Sequence, residues 1–155
     1  MVIRKKTTQP KKVIMKLENQ VCTLENAKKL SEIGIIQGAS LFFYNKDGSI
    51  QYNSHRSTGH YKDAEHCFSA FTVAELAVML GDDCSYSFDE NKVNAQFSKS
   101  EKPHWIAAYT IGAFNGKEQW LEFGDTMAEA CARLLILLIE KGKRNPEECN
   151  KRLAA

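Results

Sequence analysis

The side chains best equipped for chemistry crowd into one short stretch, where His55, His60, His66 and Cys67 lie close together with Asp63 and Glu65 among them. Imidazole, thiolate and carboxylate are the usual ligands of zinc, which asks for pairs of ligands at finger or helical spacing. The spacing here matches neither pattern, so the group reads as loop. Cys67 beside His66 sets a nucleophile next to a base. Neighbouring side chains on a strand or helix point apart, however, and no carboxylate is placed to orient the imidazole. Asp82 or Asp83 followed by Glu90-x-Lys92 has the residue types of a metal-dependent nuclease centre, but Glu90 and Lys92 fall in a predicted turn rather than on a strand. The chain contains no phosphate loop, no G-x-G-x-x-G, no H-E-x-x-H and no G-x-S-x-G. Neither a catalytic residue, a metal nor a cofactor is therefore expected, and an enzyme is the less favoured reading.

The elements that would have to position these groups are clearer. Thr23 is a good N-cap for a helix carrying Leu24, Ala27, Leu30 and Ile33 on one face, with Gly34 as its C-cap. Leu41–Asn45 and Ile50–Ser54 flank Asp47-Gly48, which suits a type I′ hairpin turn. A two-residue loop there would place Leu41, Phe43, Ile50 and Tyr52 on one face. Thr72-Val73-Ala74-Glu75 is a capping box opening a helix that ends at Gly81. Cys84–Phe88 and Val93–Ser98 alternate apolar and polar, as half-buried strands do. A last hairpin runs from His104–Ala113 through Asn115-Gly116 to Gln119–Phe123 and into a helix over Thr126–Lys141. Three hairpins and three main helices predict an α+β fold, an antiparallel meander with helices mainly on one face.

At 155 residues the chain has room for one domain with a real core. Residues 1–15 read as a basic, disordered tail, residues 16–142 as the domain, and 143–155 as a charged tail or a short helix opened by Asn145-Pro146. Arg4, Lys5, Lys6, Lys11, Lys12 and Lys16 crowd into the first 16 residues, leaving the remainder mildly acidic. A nucleic-acid contact through that tail is the functional alternative to plain solvation. Met15-Lys16-Leu17-Glu18 also reads as an alternative start of the protein. The longest apolar run, Leu134–Ile139, is far too short to span a bilayer, and no apolar stretch follows the basic N-terminus as a signal peptide requires. Five cysteines without a C-x-x-C pair suit a reducing compartment, so a cytoplasmic location is expected.

The final hairpin has two contrasting faces. With Asn115-Gly116 in the loop, Ile111 opposes Trp120 and Tyr109 opposes Glu122. One face then carries Ile106, Ala108, Leu121 and Phe123, small and branched enough to lie under the following helix. The other carries Trp105, Tyr109, Ile111 and Trp120, with Glu122 beside them. An outward aromatic stripe of this kind is a recognition surface. Trp105, Tyr109 and Trp120 would hold a partner or stack a base, with His104, Lys117 and Arg56 near any phosphate. The last helix is apolar almost all round, which requires cover on more than one side. Either the N-terminal helix supplies that cover or a second copy does, through Leu134, Leu135, Leu137 and Leu138.

Three segments also carry a family likeness. Cys22–Gly34, Ser69–Leu76 with Met79-Leu80, and Ala128–Ile136 with Leu138–Gly142 resemble, in order, a group of small uncharacterised proteins encoded by phages and prophages. The resemblance implies a viral or mobile-element setting and names no site residues. More locally, Asp125, Thr126, Glu129 and Ala130 after a hairpin resemble HicB-type antitoxins over residues 104–141, although a capping box alone produces that pattern. The expected function is a non-catalytic phage-type accessory protein that binds stoichiometrically and interferes with host defence in the host cytoplasm. It would do so by masking a host protein or sequestering a nucleotide-like signal. The alternative is an antitoxin-like or nucleic-acid-binding regulator.

Overall fold

A computed structural model describes residues 16–54, 67–89, 104–111 and 118–155. The architecture is α+β, with four helices and two three-stranded antiparallel sheets among the described residues. A single 3-10 turn at Leu17–Asn19 leads into α1 (Leu24–Glu32), capped by the Thr23 hydroxyl, which accepts from the Asn26 N–H. Ala27 and Leu30, three residues apart on the helix, are its buried face.

The first sheet has the order β2-β1-β3, from β1 (Phe42–Tyr44), β2 (Ile50–Tyr52) and β3 (Phe68–Ser69). Its hairpin loop is one residue longer than Asp47-Gly48 predicts. The Gly48 N–H donates to Asn45 O at 2.9 Å, closing a turn, and Gly48 takes the positive φ of 80° that follows it. The three-residue loop Lys46-Asp47-Gly48 shifts the register, pairing Phe42 with Tyr52 and Tyr44 with Ile50. Phe42, Tyr44, Ile50 and Tyr52 therefore share a face, and Phe43 lies on the other. A shift of one residue exchanges every side chain's face. Tyr44 is the residue that reaches the core, its hydroxyl donating to Cys22 O at 2.6 Å.

The second sheet has the order β4-β5-β6, from β4 (Cys84–Asp89), β5 (His104–Ile111) and β6 (Glu118–Gly124). The expected strand Val93–Ser98 lies outside the described residues. In the last hairpin Tyr109 opposes Trp120 and Ile106 opposes Phe123, two residues from the expected register. An even shift preserves the faces, so the division between the aromatic set and the Ile106/Ala108/Leu121/Phe123 set holds.

What sits on those faces is the reverse of the expectation. Helix α3 (Met127–Glu140) packs on the aromatic face, where Ala107 and Tyr109 join the core with Trp105 and Trp120 half-buried beside them. The small residues that let the helix approach are on the aromatic face itself. Ala107 lies on the aromatic face opposite Glu122, and Gly124 lies opposite Trp105. A Cβ on Gly124 would stand 2.6 Å from Ala130 N, so the helix enters over bare backbone while the rings flank it. Ile106 and Ala108, on the other face, are buried as well.

Helix α3 is apolar all round because α1, α2 (Val73–Leu80) and the sheet all contact it. Leu134, Leu135 and Leu138 are fully buried inside this one chain, and Leu137 is partly so. Of the two alternatives for covering this helix, the chain's own elements account for these leucines. Residues 146–154 form α4 (Pro146–Ala154), with Asn145 as N-cap, Pro146 at its start, acids in the first turn and bases in the last. It docks on α2 and buries Cys149.

Candidate functional site

A concavity of 680 Å³ opens where the two sheets and two helices meet. That size suits a small ligand or a few side chains of a partner. Its apolar walls are Phe42 from β1, Val73 from the start of α2, Trp105 from β5 and Met127 from the start of α3. Asn19 and Gln20 form one rim, and Asp125 and Thr126 another. Both helices begin at this groove, α2 with Thr72 and α3 with Thr126.

The two helix starts obey the same local grammar. At α2, Thr72 accepts from the Glu75 N–H, and the Glu75 carboxylate accepts from the Thr72 N–H at 2.8 Å. Glu75 is buried, and its carboxylate also takes the Leu41 N–H at 2.8 Å and the hydroxyls of Ser40 and Thr72 at 3.0 Å. It therefore ties β1's approach to the start of α2. At α3, Thr126 accepts from the Glu129 N–H, and Glu129 accepts from the Asp125 N–H at 3.2 Å while pairing with Arg133. Each helix N-terminus, with its positive partial charge, thus already faces a carboxylate of its own chain.

The residues singled out from the sequence do not converge. Trp105 lines the groove. Tyr109 and Trp120 share its sheet face but lie farther along it, outside the groove. Tyr109 is buried beneath Arg144, whose guanidinium lies 4.6 Å from the ring centroid. Trp120 is half-buried beneath Lys143, at 5.8 Å. His104 neighbours Trp105 in sequence and so points to the opposite face. There it is buried within 3.7 Å of Asp89 and edge-on to Phe123. Arg56 and Lys117 lie outside the described residues. Phe42, Val73, Met127 and Asp125 were missed, because β1, α2 and the start of α3 are far apart in sequence and only the tertiary fold brings them together. The two capping boxes were the available signal, since they mark both helix starts.

The remaining reactive groups are placed as structure rather than chemistry. Burial pushes the Cys22 and Cys131 thiols up to about 12 and Cys84 to about 11, which leaves them protonated and unreactive near neutrality. Asp83, half of the nuclease-like pattern, pairs with Arg144. Glu90, Lys92, and residues 55–66 with their histidines lie outside the described residues. Among the described residues no group of three His, Cys, Asp or Glu is arranged to hold a metal ion, and no helix is long and apolar enough to cross a membrane.

No family model, curated protein or solved structure matches the chain.

Proposed function

We propose that this is a binding protein that acts stoichiometrically through the Trp105 groove and performs no chemistry of its own. The observation that carries the reading is the groove's composition: an aromatic and aliphatic wall with a polar rim, and Asp125 as its one ionisable side chain among the described residues. Nucleophilic sites pair the attacking group with a neighbouring base that activates it, and no such pair lines this groove among the described residues. Binding needs a concave apolar surface with a few polar anchors. In the phage setting suggested by the sequence resemblance, the target is a host component met in the host cytoplasm. Occupying it would interfere with host defence, by masking a protein or by withdrawing a nucleotide signal.

One other concavity favours a second reading, the nucleic-acid-binding regulator. Leu24, Lys28, Asn45, Lys46 and Phe68 line a space of 450 Å³, with the Lys28 ammonium 5.8 Å from the Phe68 ring centroid. An aromatic ring beside two cations has the chemistry of a single-strand contact.

The two readings separate by titration. The chain has two tryptophans, so Trp120→Phe leaves Trp105 as the sole indole fluorophore. Cyclic and linear nucleotides, short DNA and RNA strands and capped peptides are then added in turn. The binding reading expects saturation at one equivalent with a change in Trp105 emission and no conversion of the ligand. Turnover of any ligand, or salt-dependent nucleic-acid binding that leaves Trp105 silent, would overturn it.

A further inference from the structure

We infer that the Trp105 groove receives a basic side chain, an arginine carried on an exposed segment of a protein partner, and not the phosphate of a nucleotide. The inference rests on the reading of the groove as the binding site and concerns what fills it.

Charge decides the matter. Two helix starts at one concavity would ordinarily favour an anion, each contributing about half a positive charge. Here both are already answered from within. The buried Glu75 carboxylate accepts the Thr72 N–H, and Glu129 accepts the Asp125 N–H. Asp125 then adds a further carboxylate at the rim, exposed and with no cation among the groove's described lining residues. Arg133 answers Glu129, not Asp125. A phosphate entering this space would meet an uncompensated negative charge, whereas a guanidinium would meet a complementary one.

The wall suits the same occupant. Trp105 is half-buried and lines the cavity, and an indole face is the strongest aromatic partner for a cation. Arginine presents a flat, weakly hydrated head for such a face and an aliphatic stem for Met127 and Val73. At 680 Å³ the space exceeds one side chain, which leaves room for apolar neighbours against Phe42 and makes a peptide segment the natural carrier. The contrast with the Lys28/Lys46/Phe68 concavity is instructive. That site pairs an aromatic ring with cations and is the one where an anion would be at home.

Proton–nitrogen NMR of the full chain tests this, with the two indole N–H signals assigned through Trp120→Phe. Three probes are compared: acetyl-Leu-Arg-Leu-amide, the same peptide with neutral citrulline in place of arginine, and AMP. The arginine peptide is expected to shift the Trp105 indole and the Asp125 amide saturably. The citrulline peptide should bind about three- to tenfold more weakly, and AMP should leave both signals unmoved. Asp125→Asn should weaken the arginine peptide by a similar factor without lowering the melting temperature. AMP moving Trp105, or citrulline binding as well as arginine, overturns the inference while leaving the groove a binding site. Silence of Trp105 toward all three probes overturns the groove reading itself.

Discussion

The aromatic face of the second sheet ends in a tryptophan at each side, and the two ends are built differently. Trp120 pairs with Tyr109 across the strands and both rings are roofed by cations, Lys143 over Trp120 and Arg144 over Tyr109. Arg144 also donates to Leu80 O, the last carbonyl of α2, and pairs with Asp83. That end is closed. Trp105 instead lies between Gly124, which has no side chain to cover it, and Phe88, whose ring centroid is 5.1 Å away, and it lines the groove. One face of one sheet thus supplies both a piece of core and one wall of the groove. The chain segment that follows β6 decides which is which.

The comparison can be broken at either end. The largest effect is expected behind the groove, where Glu75→Ala would strand the Leu41 and Thr72 N–H groups. A loss of about 3 kcal/mol in urea unfolding is expected, because buried donors are left without acceptors. At the closed end, Arg144→Ala should cost about 2 kcal/mol, since it uncaps α2 and unroofs Tyr109 together. Lys143→Ala should change stability by less than about 0.5 kcal/mol, for an ammonium near a ring and an exposed Glu118 contributes little in water.

Glu122 lies midway between the tryptophans on the same face and sharpens the comparison through pH. Desolvation raises its pKa above the ordinary 4.5, with Arg133 and Lys29 opposing the rise. A raised folded-state pKa means that the native state binds the proton more tightly than the unfolded chain does. The relative stability this lends is present below 4.5 and is lost as pH rises through the folded-state value. Glu122→Gln is therefore expected to raise the melting temperature slightly at pH 7. It should make no difference well below pH 4.5. Melting curves of the two proteins at both pH values measure the effect directly.

Local signals carried a good part of this fold. Thr23, Thr72 and Thr126 each cap the helix expected after them, and the alternation in β5 and β6 assigned every side chain to its correct companions. Which face meets the helix was not legible, because Ala107 and Gly124 matter only where a helix actually crosses them. The first hairpin's register depended on Gly48 taking the third loop position rather than the second, a choice Asp47-Gly48 leaves open. The groove was least legible of all. Trp105 stood out as a large aromatic, but Phe42, Val73 and the Asp125–Met127 corner come together from three separate parts of the chain. His104 was grouped with it by proximity in sequence, the one relation a strand guarantees to separate.

The account turns on Trp105 and Trp120 having different duties, and the paired alanine variants test that most directly. Each is melted and then titrated with the arginine peptide, followed by NMR at the Asp125 amide. Trp120→Ala should lose about 2–3 kcal/mol of stability, as expected for a large ring partly in the core, and keep its affinity for the peptide. Trp105→Ala should lose a similar amount, since that ring is also half-buried beside the same core, and no longer respond to the peptide. The opposite binding pattern, with Trp105→Ala keeping its affinity and Trp120→Ala unable to bind, would contradict the assignment of the groove as the working surface.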